Sequence, residues 1–405
     1  MTNRAISLSK TIDIEGLGFD AGAHVLIKQA LRPLADGSCL QVQGGEPGWD
    51  VSLAAWCRAQ GHLLEWDVAH NRALIRKGSV FSGRWQGAQQ TGHANPALPD
   101  AIASQAQPDW GLAARGATVE AGAPRWSFRL NQRDAVWANN AAQLYAQAVA
   151  AQWNPDTAID WAQAVVLPEA IEAAVVQVMT YLVENENAAL IVPARFLGQL
   201  HPHFREIQAL LAIQIADEAR HIEVFTRRIR LYGHEPALST VGGQTSLKTL
   251  VDEPDFSLAA FLLSVLGEGT FVNLLNFLHE YAPDPVTRQI ARLAAIDESR
   301  HVAFGMAHLI HHVGVDPALR SRLAMAVEAR FDALAGTSGL NEDVFDALVL
   351  LAAGDTNPQA VAVGYQRVQD LMRAMADGRR ARLLRLGFSA TEASRLAALH
   401  TRNFM

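Results

Sequence analysis

Two short segments carry residue types that could do chemistry. Residues 215–225 read IADEARHIEVF, and residues 294–304 read AAIDESRHVAF. Each holds a Glu and a His three positions apart, Glu218 with His221 and Glu298 with His301. On an α-helix, positions i and i+3 share a face, so both side chains can converge on one point. A carboxylate and an imidazole together make an oxygen–nitrogen site suited to iron or manganese. Two such helices would supply two metals, and a bundle site of this kind needs one more acid from each of two further helices.

Those acids exist. The apolar stretch AAFLLSVLGEGTFVNLLNFL contains a single acid, Glu268, thirty residues before Glu298. The stretch VMTYLVENENAALIVPARF carries Glu184 and Glu186, thirty-four and thirty-two residues before Glu218. The closer match in spacing, and the apolar residues that follow it, favour Glu186, with Glu184 as the alternative. One Glu-x-x-His on a helix is usually a solvated face. Two copies, each preceded by a helix with a well-spaced Glu, are different. An acid such as Glu268 buried without a partner would cost several kcal/mol, and metal coordination removes that cost.

Asp217 and Asp297 repeat as well, each four residues before a motif histidine. A metal-bound histidine usually donates its other N–H to a carboxylate. The two aspartates are therefore expected to hold the same or the opposite histidine; the competing reading is a salt bridge to Arg220 or Arg300. His308, seven residues after His301, is either a packed core histidine or a third histidine ligand. His201 and His203 flank a proline at a helix start and read as surface or capping residues.

Helical periodicity dominates the chain from about residue 126. Helices are expected over 131–151, 168–197, 203–231, 256–280, 285–313, 317–336, 341–353, 357–384 and 389–400. Pro202, Pro236, Pro254, Pro283 and Pro285 fall at the breaks, and Ser389 with Glu392 offers a capping box. Long helices with short connections imply a bundle. Residues 11–78 read differently, as a small α+β unit with strand–helix–strand–helix order ending in LLEWDVAHNRALIRKG, a strand or hairpin. Between them, 79–125 is rich in Gly, Ala, Gln and Pro and reads as a linker with short ordered pieces. The expected domains are thus 1–78, a linker over 79–125, and a helical domain over 126–405.

The chain has 405 residues, half of them hydrophobic, and a formal net charge of −7. The length suffices for two or three domains. No uninterrupted apolar run approaches the ~20 residues that span a bilayer, and the N-terminus lacks a signal-peptide pattern. The charge argues against nucleic acid as a partner. Two cysteines, Cys39 and Cys57, stand in neither a metal-binding nor a redox spacing, which fits a reducing cytoplasm. Neither a nucleotide-binding fingerprint nor an iron–sulfur cysteine set is present, so electrons would come from an external donor.

The set Glu186, Glu218-x-x-His221, Glu268 and Glu298-x-x-His301 resembles the ferritin-like di-iron carboxylate proteins over roughly residues 150–315. That family includes ribonucleotide reductase small subunits, multicomponent monooxygenases, acyl-carrier desaturases and N-oxygenases. The resemblance implies two iron ions, with Mn/Fe and di-manganese as alternatives, Glu218 and Glu298 bridging or capping them, and O2 as co-substrate. It implies catalysis by the six ligands on a small-molecule substrate, in a homodimer with no membrane partner. Where radical-generating members carry a tyrosine four residues after the first motif histidine, this chain has Phe225, and the matching place after His301 is Gly305. The expectation is an O2-dependent oxidase or oxygenase rather than a radical-cofactor subunit; the alternative is a non-catalytic metal-binding protein with a partner-docking N-terminal domain.

Residues 11–66 resemble the TusA-like (SirA-like) sulfur carriers in Gly16-Leu17, in LADGSCLQV, and in Trp56 with Gly61-His62. The reactive cysteine is missing: Phe19 stands in its place, with Asp20 and Gly22 where prolines belong. A thiolate is the nucleophile of sulfur transfer. The resemblance therefore implies the fold without the activity.

Overall fold

The computed structural model describes residues 8–78, 85–335 and 342–399. The expected helix ends at 336, 341 and 400, the first residues of the linker and the N-terminal residues 1–7 lie outside these. The chain forms two compact units. The first holds the described residues up to Thr91 together with Gly116–Pro124; the second holds Gly92–Arg115 and the described residues from Arg125 onward.

In the first unit, β1 (Leu8–Asp13), α1 (Ala23–Leu31), β2 (Cys39–Gln43), α2 (Trp49–Gln60), β3 (Leu63–Asp67) and β4 (Arg72–Arg76) follow in order. The sheet order is β1-β2-β4-β3. β1 lies parallel to β2, as a helical crossover through α1 allows, and the other pairs are antiparallel. The segment expected as a strand or hairpin is a hairpin, with Leu64 opposite Ile75. Leu40 and Val42 of β2 face one side of the sheet, opposite Ile75 and Ala73 of β4. All four are fully buried, with Ile27 of α1 and Leu53 of α2 in the same core. This is the period-two alternation of a half-covered sheet. Two short strands, β5 (Gln89–Gln90) and β6 (Thr118–Val119), pair antiparallel within the stretch read as a linker.

The second unit is helical: α3 (Ala141–Ala150), α4 (Pro155–Ala158), α5 (Glu169–Leu197), α6 (Arg205–Arg230), α7 (Val241–Val251), α8 (Phe256–Ala260), α9 (Gly269–Tyr281), α10 (Pro285–Val315), α11 (Leu319–Ala335), α12 (Glu342–Ala353), α13 (Pro358–Arg385) and α14 (Ala390–Ala398). α8 and α9 are joined without a break by a π-helical stretch, Phe261–Glu268. α5 packs on α6, and α10 packs on the rod formed by α8, the π stretch and α9. These two pairs make the bundle that positions the motif residues. The expected capping box at Ser389 and Glu392 is present.

Three features depart from the periodicity reading. The helix expected over 131–151 starts only at Ala141, because Asn139 and Asn140 end a run of turns, and asparagine favours turns over helix interiors. α7 was not expected. Thr240 caps it by accepting from the Gly243 N–H at 3.1 Å, but Gly242 and Gly243 in its first turn mask the pattern. The rod is not a uniform α-helix but widens into the π stretch. Two glycines permit this. A Cβ on Gly305 of α10 would lie 2.5 Å from the Ser264 Cβ, and one on Gly269 would lie 2.5 Å from the Arg382 guanidinium carbon. Arg382 of α13 uses that approach to donate to the Val265 carbonyl of the π stretch at 2.6 Å. By length and composition the rod Phe256–Tyr281 could cross a membrane, yet its most apolar window is 83% buried within the protein.

One polar clamp ties α5, α6 and α10 together. Arg228, fully buried, donates to both Glu172 carboxylate oxygens at 2.6 and 2.9 Å, to Asp284 at 3.1 Å and to the Thr287 hydroxyl at 2.9 Å. Asp284 also caps α10 by accepting from the Thr287 N–H at 2.8 Å. Its carboxylate partners hold the Arg228 guanidinium above its ordinary pKa against the opposing pull of burial. Removing the cation strands two buried carboxylates. Arg228→Leu should therefore lower unfolding stability by about 3–5 kcal/mol in urea titrations, far more than an exposed arginine substitution would.

Candidate metal centre

The bundle brings all six motif residues to one place. Glu186 comes from α5, Glu218 and His221 from α6, Glu268 from the end of the π stretch, and Glu298 and His301 from α10. Each is at most 4% exposed. Two overlapping groups form: Glu186, Glu218, His221 and Glu298, and Glu218, Glu268, Glu298 and His301. Within each, one donor atom per residue lies within 4.8 Å of the others. Glu184 is outside both groups and lies beside a different, outer groove between α5 and α7.

Glu218 and Glu298 belong to both groups, and the distances show why. Glu218 lies 3.2 Å from the His221 Nδ1 through Oε2 and 3.0 Å from the His301 Nδ1 through Oε1. Glu298 repeats this, at 3.4 Å to each histidine through its two oxygens. The other two acids serve one end each: Glu186 is 3.6 Å from His221 and Glu268 is 3.9 Å from His301. Two carboxylates between two positions and one carboxylate plus one imidazole at each end is a donor set for two cations.

The donor atoms themselves fit that reading. Glu186 Oε1, Glu218 Oε1, Glu268 Oε2, both Glu298 oxygens and the His301 Nδ1 are buried with no hydrogen-bond partner. Buried polar atoms are almost always satisfied, so a knot of orphaned ones at one point calls for ions. Burial, reinforced by the Glu218 and Glu298 charges, drives the Glu186 carboxyl well above the usual range, and burial with Glu298 does the same to Glu268. Glu218 goes the other way. Burial pushes it up, but the two imidazoles beside it win and hold it low. Burial alone would lower both histidines, yet the carboxylates around them raise them well above normal. Without cations, only such protons can balance the acids.

The far nitrogen of each histidine meets an aspartate from the opposite helix. His221 Nε2 lies 3.2 Å from Asp297, and His301 Nε2 lies 3.4 Å from Asp217. The competing salt bridges form as well. Arg220 donates to Asp217 at 2.5 Å and to Asp297 at 2.8 Å, and Arg300 pairs with Asp297. Each aspartate thus orients an imidazole while an arginine holds the aspartate. The His221 contact, after burial's opposing effect, keeps Asp297 well below its ordinary pKa.

Sequence reasoning missed the outer supports. Trp153 donates its indole N–H to Asp297 at 2.8 Å, and Gln152 donates to Asp217 at 2.9 Å. Gln214 donates to Glu268 at 3.0 Å. Trp153 and Gln152 lie in an irregular segment with no periodicity to flag them, whereas Gln214, four residues before Glu218, shares its helical face. His308 is a core histidine. It lies 3.0 Å from the Trp137 carbonyl and 2.8 Å from the Ser257 hydroxyl, and burial pushes its pKa down to about 3. His201 and His203 are not surface residues; they are 1% and 2% exposed. The capping expectation holds for His201, whose Nδ1 accepts from the His203 N–H, while the His203 Nε2 accepts from the Ala103 N–H at 2.9 Å. Phe225 is buried beside His221, with the rings 6.3 Å apart.

A narrow cleft reaches the cluster on the carboxylate side. Its free volume is about 300 Å³ including the mouth. Glu186, Glu268 and Glu298 form its polar floor, and Ala189, Leu250, Leu263 and Phe271 its apolar walls. Leu250 comes from α7 and Leu263 from the π stretch, the two elements the periodicity did not reveal.

No protein-family model matches the chain, and no characterised protein matches it in sequence. Solved structures do match. A variant of an R2-like ligand-binding oxidase with an aerobically reconstituted Fe/Fe cofactor superposes with a TM-score of 0.51 at 18% identity, covering 62% of this chain and 94% of that one. The helical unit is a ferritin-like bundle. Another variant of an R2-like ligand-binding oxidase, with an anaerobically reconstituted Mn/Fe cofactor, gives a TM-score of 0.48 at 18% identity, covering 60% of this chain and 94% of its own. In the bundle of the present chain, the buried carboxylate–histidine cluster is suited to a dimetal site.

If the cluster holds two ions, elemental analysis of the purified chain should find about two iron or manganese ions per chain. Glu268→Ala combined with His301→Ala removes one end of the site and should leave at most about one. Full metal content in that double variant would show the site to be elsewhere.

Proposed function

We propose that the protein is an O2-dependent dimetal oxidase or oxygenase acting on a small organic substrate. The observation that carries this reading is the position of the cluster: its carboxylate side opens on an apolar cleft, while its histidine side is closed by Asp217, Asp297 and Trp153. A storage or scaffolding site needs no such cleft. Two iron ions, or a Mn/Fe or di-manganese pair, would supply O2 activation and redox equivalents there. Glu218 and Glu298 would bridge the ions, and Glu186 with His221 and Glu268 with His301 would complete the ends. The aspartates fix each imidazole so that its Nδ1 faces the carboxylates that would hold the ions. Leu250, Leu263 and Phe271 exclude water from the reacting region. Electrons come from an external donor in this reading.

The absence of a tyrosine at positions 225 and 305 favours substrate oxidation over storage of a protein radical. Reduced, iron-loaded protein should consume O2 in a single turnover without building a persistent tyrosyl radical. Stopped-flow O2 consumption and electron paramagnetic resonance on frozen samples read this. A tyrosyl signal lasting minutes would move the protein to the radical-cofactor class. No O2 consumption at all would favour the rival reading, a metal-binding protein without catalysis.

The first unit fits a TusA-like fold that has lost sulfur transfer. Phe19 packs against its core and meets the Trp56 ring at 6.5 Å. Both cysteines are buried, and burial pushes the Cys57 thiol up to about 12. A thiol so far from its thiolate is a poor nucleophile. The full chain should accept no persulfide sulfur from a donor and should alkylate at its cysteines only after unfolding, as read by mass spectrometry. A docking or regulatory role is the one proposed for this unit.

A further inference from the structure

The cleft beside the cluster is nearly closed. The space in it open to water is about 20 Å³, room for about one molecule. No organic substrate fits this form, so an element of the wall must move before one can reach the cluster. The lining comes from α5, α7, α10 and the rod of π stretch and α9. α5, the rod and α10 each carry cluster residues, so none of them moves without pulling a glutamate away. α7 contributes Leu250 to the wall and nothing to the cluster.

Behind that wall lies a larger space. The outer groove between α5 and α7 holds about 400 Å³ open to water. Asn187, Ala188 and Ile191 of α5 and Leu247 and Val251 of α7 line it. Ala188 faces the groove and its neighbour Ala189 the cleft; Leu247 faces the groove and Leu250, on the same helical face, the cleft. A single seam of two alanines against two leucines therefore separates the groove from the cluster.

The seam is built to part. Hydrogen bonds tie the α7 segment to α5 at its two ends. Before α7, Gln177 donates to the Leu238 carbonyl at 2.9 Å and Thr180 accepts from the Ala237 N–H at 2.8 Å. After it, Arg195 donates to the Val251 and Glu253 carbonyls. Between these ends α7 bonds α11, where Ser246 accepts from Arg330 at 2.7 Å, while the seam with α5 is apolar. α7 has only 11 residues, with Gly242 and Gly243 in its first turn, each costing about 1 kcal/mol of helix stability relative to alanine. Residues 234–240 before it and 253–255 after it have no regular structure. Short, weak elements of this kind are the ones that open locally.

We propose that α7 is the gate of the cleft, and that a small substrate passes from the outer groove to the cluster through the α5–α7 seam, past Leu247 and Leu250. The proposal rests on the reading that the cleft receives a substrate. Arg195 is the latch, holding the C-terminal end of α7 against α5.

A thiol placed behind the gate tests this. In the full chain, Ala189→Cys puts the thiol on the cleft side of the seam, and Ala291→Cys puts one equally buried in α10, in the lining of neither space. Alkylation by N-ethylmaleimide is followed by mass spectrometry of the modified peptides, which counts Cys39 and Cys57 separately. The first thiol should react at least about tenfold faster than the second. Adding Arg195→Gln should raise that ratio about tenfold, the worth of one charged hydrogen bond. Adding Asn187→Trp, which fills the groove from an exposed position, should lower it. Equal rates for the two thiols mean that the cleft opens only by global unfolding and overturn the proposal. A ratio that does not rise in Arg195→Gln overturns the gate, and one that does not fall in Asn187→Trp overturns the route. Should Arg195→Gln not fold, Leu250→Ala takes its place, because it thins the seam and should raise the ratio as well. The assay needs neither metal nor O2, so failure of the gate shows in the thiol rates and failure of the dimetal reading in metal content and O2 consumption.

Discussion

Four carboxylates gathered at one buried point are the constraint on which the bundle depends. Glu186, Glu218, Glu268 and Glu298 bring a charge of −4 into a region at most 4% exposed. Burying that charge unpaired is prohibitive, and shifting protons onto the acids and histidines relieves it only in part. Two divalent cations with neutral imidazoles would cancel it. The outer layer balances on its own terms: Asp217 and Asp297 face Arg220 and Arg300. Two nested neutral shells, one closed by arginines and one left for ions, follow from counting charges. They also explain why the aspartates can bond both a histidine and an arginine without contradiction.

Supports far from the cluster serve the same end. α5 and α6 each deliver cluster residues, and Arg228 locks them to each other and to the start of α10 through Glu172 and Asp284. That clamp is an inverse of the metal site, with one buried cation held by two acids. The π stretch has a comparable role on the rod. Its wider turn ends at Glu268, and π turns inside α-helices frequently mark functional sites. Gly305 and Gly269 leave room for it, and Arg382 satisfies the Val265 carbonyl.

The parts of this arrangement that were legible in the sequence obey a period. Glu218 with His221 and Glu298 with His301 share a helical face, and Glu268 stood out as the lone acid in an apolar run. The choice of Glu186 over Glu184 followed spacing and the apolar residues after it, and the cluster contains Glu186. What escaped was held by something other than period. α7 hid behind two glycines in its first turn. The π stretch has the same apolar composition as an α-helix and differs only in register, which needs the neighbouring Gly305 and Arg382 to be seen. Gln152 and Trp153 reach the aspartates from a segment without regular structure, where position in space has no trace in local pattern. For His201 and His203 the surface half of the reading failed, because histidine beside proline is common at exposed helix starts; here residues 92–115 belong to the same unit and supply their partners Ala103 and Gln107.

The two ends of the site are alike in ligands and unlike in support. Each terminal glutamate is preceded by a residue that lines the cleft, Asn185 before Glu186 and Gly267 before Glu268. Glu268 accepts a hydrogen bond from Gln214 at Oε1, while its Oε2, like Glu186 Oε1, has no hydrogen-bond partner. The Glu268 end is therefore held by the protein, with a bare backbone beside it. At the Glu186 end, an amide oxygen and a carboxylate oxygen both await partners. An internal repeat of helix pairs would produce equal ends. The inequality arises in the residues outside the repeat.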